Sequence, residues 1–146
     1  MDDWKSNSRM TLQKKLVLSK NHIDILTRHA RDCVPNESCA ILFGKIENEN
    51  FVIKDAFLTK NIKNSSVEFS ISPEDLIVAY KEAEKRELEL GIFHSHPDSA
   101  AYPSPMDEKY MELNQPHPWI IFSIAENQFK AYIFESGIIP IVVTIL

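Results

Sequence analysis

Residues 90–97 read Leu-Gly-Ile-Phe-His-Ser-His-Pro. The apolar run 90–93 is the signature of a buried strand. Pro97 has no N–H to give a ladder, so the strand must stop there. Any fold for this chain must therefore bury this strand and present what stands at its end. Residues i and i+2 of a strand share a face, so His94 and His96 project together. Two neutral imidazoles on one face are a ready pair of zinc ligands. A short loop leads to Ser104-Pro105-Met106-Asp107, where Asp107 offers a third, oxygen ligand. Two histidines and one carboxylate leave a fourth tetrahedral position open for water, the catalytic rather than the structural arrangement.

The same four residues also spell a helix start. Ser104 stands at N-cap, Pro105 at N1 and Asp107 at N3, a capping-box-like pattern. The chain carries its own comparison in Ser72-Pro73-Glu74-Asp75, which has this pattern and no neighbouring histidines in sequence. We read 72–75 as a plain helix start. The His-x-His upstream is what separates 104–107 from it.

His94-x-His96-Pro97, seven residues, Ser104, two residues, Asp107: this spacing resembles the metal-binding motif of the JAMM (MPN+) metalloproteases. That family also has an upstream glutamate on an early strand, commonly in a Glu-x-Cys-Gly-like context. Here the counterpart is Glu37-Ser38-Cys39-Ala40, with Ala40 where Gly is common. The stretch from Pro97 to Ser104 is similar to the prokaryotic branch, whose members act on ubiquitin-like and sulfur-carrier proteins. The resemblance covers residues 16–135. It implies one zinc per chain and a three-layer architecture shared with cytidine deaminases.

A chain of 146 residues is enough for one domain with a real core. Hydrophobic content of 44% with 25% charged residues is globular. A net charge of −5 argues against a nucleic-acid binder that relies on a basic face. No apolar stretch reaches the ~18–20 residues that span a bilayer. The polar, acidic start Met1-Asp2-Asp3-Trp4-Lys5 has no apolar core of a secretion signal. We expect a cytoplasmic protein with no nucleic-acid or membrane partner. Cys33 and Cys39 form no Cys-x-x-Cys and read as reduced thiols, although a disulfide between them stays open.

In chain order, 1–15 reads as a polar arm and 16–146 as the domain. A short strand at 16–18 precedes a helix over 19–32 with Ile23, Leu26, Ala30 and Cys33 on one stripe. His22 and His29 fall off that stripe and are expected to face solvent. Strands at 37–46 and 51–59 flank a polar connector. A polar loop at 61–66 leads into a short strand at 67–71. A second helix from Pro73 to Leu88 buries Leu76, Tyr80 and Ala83. After the strand at 90–96 come a short helix over 105–113 and a stiff connection through His117. Strands follow at 119–125, 128–134 and 138–146, the last with Pro140, which suits a sheet edge. The pattern predicts one mixed sheet with flanking helices, an α/β or α+β domain.

Amide hydrolysis needs a nucleophile stronger than water at neutral pH, and bound zinc lowers the pKa of its water to ~7. With His94, His96 and Asp107 as ligands, Glu37 can take and return the proton. The Ser104 hydroxyl can donate to the developing oxyanion while its oxygen caps the helix. A Cys39 thiolate is the runner-up ligand, but a strand offset of two puts it ~6–7 Å beyond Glu37. The expected activity is hydrolysis after the C-terminal tail of a ubiquitin-like or sulfur-carrier protein. Residues 61–71 are the candidate edge for strand addition by that tail. The alternative is a catalytically silent scaffold of the same fold. A zinc deaminase would need His-x-Glu with Pro-Cys-x-x-Cys, and the chain has neither.

Overall fold

The computed structural model describes residues 14–146. Its elements are β1 (Lys15–Leu18), α1 (Lys20–Cys33), β2 (Cys39–Glu47), β3 (Asn50–Thr59), α2 (Pro73–Arg86), β4 (Glu89–His96), α3 (Pro105–Leu113), β5 (Trp119–Ser123), β6 (Gln128–Phe134) and β7 (Ile138–Ile145). Most of the expected arm, residues 1–13, lies outside the described residues. Lys14 and Lys15 already belong to the sheet, through Lys14 N to Glu49 O at 2.9 Å and the Lys15–Asn50 pairing.

The sheet is mixed, in the order β1-β3-β2-β4-β5-β6-β7, and β1 closes it by pairing in parallel with both β3 and β7. The strand β4 lies between β2 and β5, antiparallel to the first and parallel to the second. That is the central, doubly covered position its apolar run required. Alternation along β2 feeds two cores. Cys39, Ile41 and Phe43 join Ala79 and Ala83 of α2 and Met111 of α3. Ala40 and Leu42 join Leu26 and Ala30 of α1 on the other face.

Phe51 of β3 is fully buried against β2 and β4. Its ring lies over Gly44 and Gly91, and a Cβ built on Gly44 meets the ring at 2.5–2.9 Å. At Gly44 there is no room for a side chain while the ring stays in place, and at Gly91 a Cβ would sit 3.2 Å from both the ring and Pro118 O, a tight fit.

Several expectations change. The 67–71 segment forms no strand; the chain from 61 to 72 is irregular. The buried stripe of α2 is Ala79 and Ala83 with Leu76, whereas Tyr80 is exposed. His29 does not face solvent: its Nε2 sits 2.9 Å from Cys39 O and 3.2 Å from Thr59 O, tying α1 to β2 and β3. Pro140 is not on an edge strand, because β7 pairs on both sides. Yet β6 takes 138–141 and β1 takes 142–145, so the proline sits where one side is still open. That is how an interior strand tolerates a missing N–H. Both cysteines are free thiols.

Candidate metal centre

The centre is built by three elements. β4 delivers His94 and His96 to one face of its end. The antiparallel register with β2 sets Cys39 opposite His94. One step on, Ser95 N donates to Ser38 O at 3.1 Å and Ser38 N donates to Ser95 Oγ at 2.9 Å. This pairing brings Glu37 alongside His96. The first turn of α3 delivers Asp107.

His94 Nε2, His96 Nε2 and Asp107 Oδ2 form a nearly equilateral triangle, with edges of 3.0, 3.1 and 3.1 Å. A tetrahedral ion with ligands at ~2.0–2.1 Å spaces them ~3.3 Å apart, so these atoms fit one small divalent ion with little movement. All three side chains are buried. His96 Nδ1 lies 2.8 Å from Ala100 O, so it carries the proton there and leaves Nε2 with a free lone pair. Glu37 is also buried, and one of its carboxylate oxygens lies with the His94 and His96 nitrogens in a group no wider than 4.8 Å. Its Oε1 has no hydrogen-bond partner. A buried carboxylate oxygen without a donor is costly unless a cation or a proton answers it.

The capping and site readings of 104–107 meet in one residue. Ser104 Oγ accepts from Asp107 N at 3.1 Å, and Ser104 N donates to Asp107 Oδ2 at 2.9 Å, a complete capping box. The oxygen used for capping is the one that faces the imidazoles. Ser72 accepts from Asp75 N at 3.1 Å and caps α2. Because the Ser104 oxygen is the acceptor in its cap, its hydrogen stays free to donate.

Electrostatics follow from burial and proximity. Burial pushes the Glu37 carboxyl up to about 8; His96 opposes this, and Asp107 and Glu68 add to it. Burial also raises Asp107, but His94, His96 and the Ser104 N–H outweigh it and hold that carboxyl well below the usual carboxylate range. Burial drives His94 down more than Asp107 restores it. For His96 burial is again the largest influence, but Asp107, the Ala100 carbonyl and Glu37 together carry it upward. Cys39 stands apart. Thr59 Oγ1 donates to its Sγ at 3.3 Å, and burial pushes its thiol up to about 11, the opposite of a thiolate ligand.

Sequence reasoning missed the residues that position Glu37. Asn61, buried, donates through Nδ2 to Glu37 O (3.0 Å), Ser65 O (3.5 Å) and Glu68 O (3.1 Å). Its Oδ1 accepts from Lys63 N (3.0 Å) and Ser70 N (3.1 Å). Glu37 N in turn donates to Ser65 O at 2.8 Å. One amide thus folds the 61–70 loop and ties it to the Glu37 peptide. An asparagine in a polar loop carries no sequence signal for this. Ser95 anchors the other side through Ser38.

Residues 19–133 match the model of the prokaryotic homologs of the JAB domain. The chain belongs to this family, and it is an enzyme of the JAMM type, a hydrolase. It is 42% identical over 101 residues to a desampylase of Pyrococcus furiosus, covering 68% of each chain. It is 29% identical over 102 residues to COP9 signalosome complex subunit 5 of Dictyostelium discoideum, of which it spans 31% against 65% of itself. A solution structure of a Desulfitobacterium hafniense protein superposes with a TM-score of 0.79 at 26% identity, over 90% of this chain and 92% of that one.

Proposed function

We propose that this protein is a zinc-dependent isopeptidase or peptidase that hydrolyses the amide bond after the C-terminal tail of a ubiquitin-like modifier or sulfur-carrier protein. The observation that carries this reading is the triangle of His94, His96 and Asp107 with Glu37 buried beside it. His94, His96 and Asp107 hold the ion, and the ion when bound supplies Lewis acidity and an activated water. Glu37 takes a proton at its carboxylate and returns it to the leaving amine. The Ser104 hydroxyl donates to the oxygen on which charge develops. Residues 61–71 are the surface along which the tail lies, because Asn61 fastens that segment to Glu37 and Phe69 stacks on His94 at 4.5 Å. The two cores on opposite sheet faces support the three-layer arrangement, with 16–146 as one domain. Two free thiols suit a cytoplasmic setting. No helix among the described residues is long and apolar enough to cross a membrane.

The test is metal analysis and incubation with ubiquitin-like conjugates, with and without chelator, on wild type and His94→Ala/His96→Ala. Chelator-sensitive cleavage and loss of zinc from the double variant are expected. Full zinc retention by that variant refutes the ligand assignment. Zinc binding without cleavage of any conjugate favours the silent scaffold.

A further inference from the structure

Between His96 and Asp107 the chain makes a loop whose backbone is tied down residue by residue. Ser123 Oγ of β5 donates to Ser99 O at 2.7 Å, His96 Nδ1 donates to Ala100 O at 2.8 Å, and Tyr132 OH of β6 donates to Ala101 O at 2.6 Å. Three successive carbonyls are thus each held by a side chain from a different strand. Ala101 and Pro103 are buried, and Tyr102 between them is 57% exposed. The Tyr102 N–H donates to Ala100 O at 2.8 Å, the same oxygen that holds His96. Its ring stands edge-on to Tyr132, with centroids 5.6 Å apart at 81°. An aromatic ring fixed in this way offers a large contact at low cost in conformational entropy.

Chain length places that ring. Tyr102 stands two residues from Ala100, which bonds to His96, and two from Ser104, whose N–H bonds to Asp107 Oδ2 at 2.9 Å. Two residues span at most ~7 Å, so Tyr102 lies on the rim of the centre. The anchors of the loop fix the flank. The 61–70 loop is fastened to Glu37, just ahead of β2, whereas this loop is fastened to β5 and β6. β4, with His94 and His96, lies between β2 and β5. A trans amide sends its acyl chain and its amine chain in opposite directions. With the tail along 61–71, the leaving amine therefore points to the flank of Tyr102. A lysine side chain brings an aliphatic stem to that flank while its nitrogen sits at the reacting bond.

We propose that Tyr102 is a specificity-determining residue whose ring packs on the aliphatic stem of the lysine that leaves, so that the favoured bond is an isopeptide. This role rests on the hydrolytic reading of the centre.

The experiment places two amines in turn on the C-terminal carboxyl of ubiquitin and of a sulfur-carrier protein: the Nε of Nα-acetyl-lysine amide, and methylamine. Both are alkylamines, so the bond broken is alike and the stem is what differs. Zinc-loaded wild type, Tyr102→Phe and Tyr102→Ala are compared by kcat/KM. Wild type should prefer the lysine conjugate by ~tenfold, the order expected from burying about two methylenes. Tyr102→Phe, which keeps the ring, should keep the preference, and Tyr102→Ala should lose it. Equal losses on both conjugates in Tyr102→Ala mean that the ring serves only to pack on Tyr132, and overturn the role. A wild type that treats the two amines alike overturns it without reference to any variant. Cleavage of no conjugate at all refutes the hydrolytic reading itself, and this role with it.

Discussion

Glu37→Gln tests the electrostatics of the centre before any turnover is measured. In the ion-free protein the Glu37 carboxyl is raised from 4.5 to about 8, chiefly by burial. Below pH 4.5 it is protonated in both folded and unfolded chains and costs nothing. Between 4.5 and about 8 the unfolded chain releases the proton while the folded protein keeps it. The folded state then binds more protons than the unfolded one, so stability falls as pH rises. Above 8 both are ionised and the loss is complete. At 1.36 kcal/mol per pH unit the ceiling is ~5 kcal/mol, and relaxation around the buried carboxylate brings it to ~2–3 kcal/mol.

Glutamine keeps the size and polarity but has no proton to lose. The assay is denaturant unfolding of chelator-treated wild type and Glu37→Gln from pH 4 to 9. The two should agree near pH 4, and the variant should be the more stable by ~2–3 kcal/mol above pH 8. Taking the difference leaves the Glu37 carboxyl and its coupling to His96 and Asp107. With zinc restored, the variant should keep its metal and lose ~10²–10⁴ in cleavage rate. A stability difference that does not change with pH refutes the burial argument. Loss of zinc from Glu37→Gln makes Glu37 a ligand, as its place in the group with His94 and His96 permits.

Three further outcomes follow from the geometry. Ser72→Ala and Ser104→Ala should each cost ~0.5–2 kcal/mol in thermal unfolding. Only Ser104→Ala should also slow cleavage, by ~10²–10³; equal activities return Ser104 to capping alone. Gly44→Ala should overpack Phe51 and cost ~1–3 kcal/mol, and adding Phe51→Leu should recover part of it in a double-mutant cycle. Asn61→Asp removes three donations and sets a carboxylate against carbonyls; faster hydrogen exchange at the Glu37 amide and reduced cleavage are expected, with unchanged exchange refuting the tie.

The parts of the fold written in local pattern were legible. The helix over 105–113 and the strand over 128–134 were read to the residue, because a cap and a turn mark their ends. Tyr80 was misplaced because i+3 and i+4 both continue an apolar stripe, so Leu76-Ala79 and Leu76-Tyr80 read alike, and packing chose the smaller side chain. The 67–71 segment alternates like a strand, but Asn61 takes the Ser70 N–H and Glu68 carbonyl for itself. The five proposed site residues come from one short motif and one distant acid, which the sequence sets far apart and the fold brings near one another. What holds them there was not legible. Ser38, Ser95, His29 and Asn61 act through backbone groups, which leave no mark on composition or periodicity.

The closure of the sheet through β1 sets an order on how the chain can fold. β1 is complete only when β7 pairs with it, Lys15 with Val142 through Leu18 with Ile145. These partners are more than a hundred residues apart, so the contact carries a high loop-closure cost and comes late. During synthesis the early hairpin of β2 and β3 can form while β1 has only half its partners. Until residues 138–145 emerge, β1 presents an open edge to any strand that meets it. The last strand made therefore seals the first, and a nascent chain stalled before it is the form most exposed to aggregation.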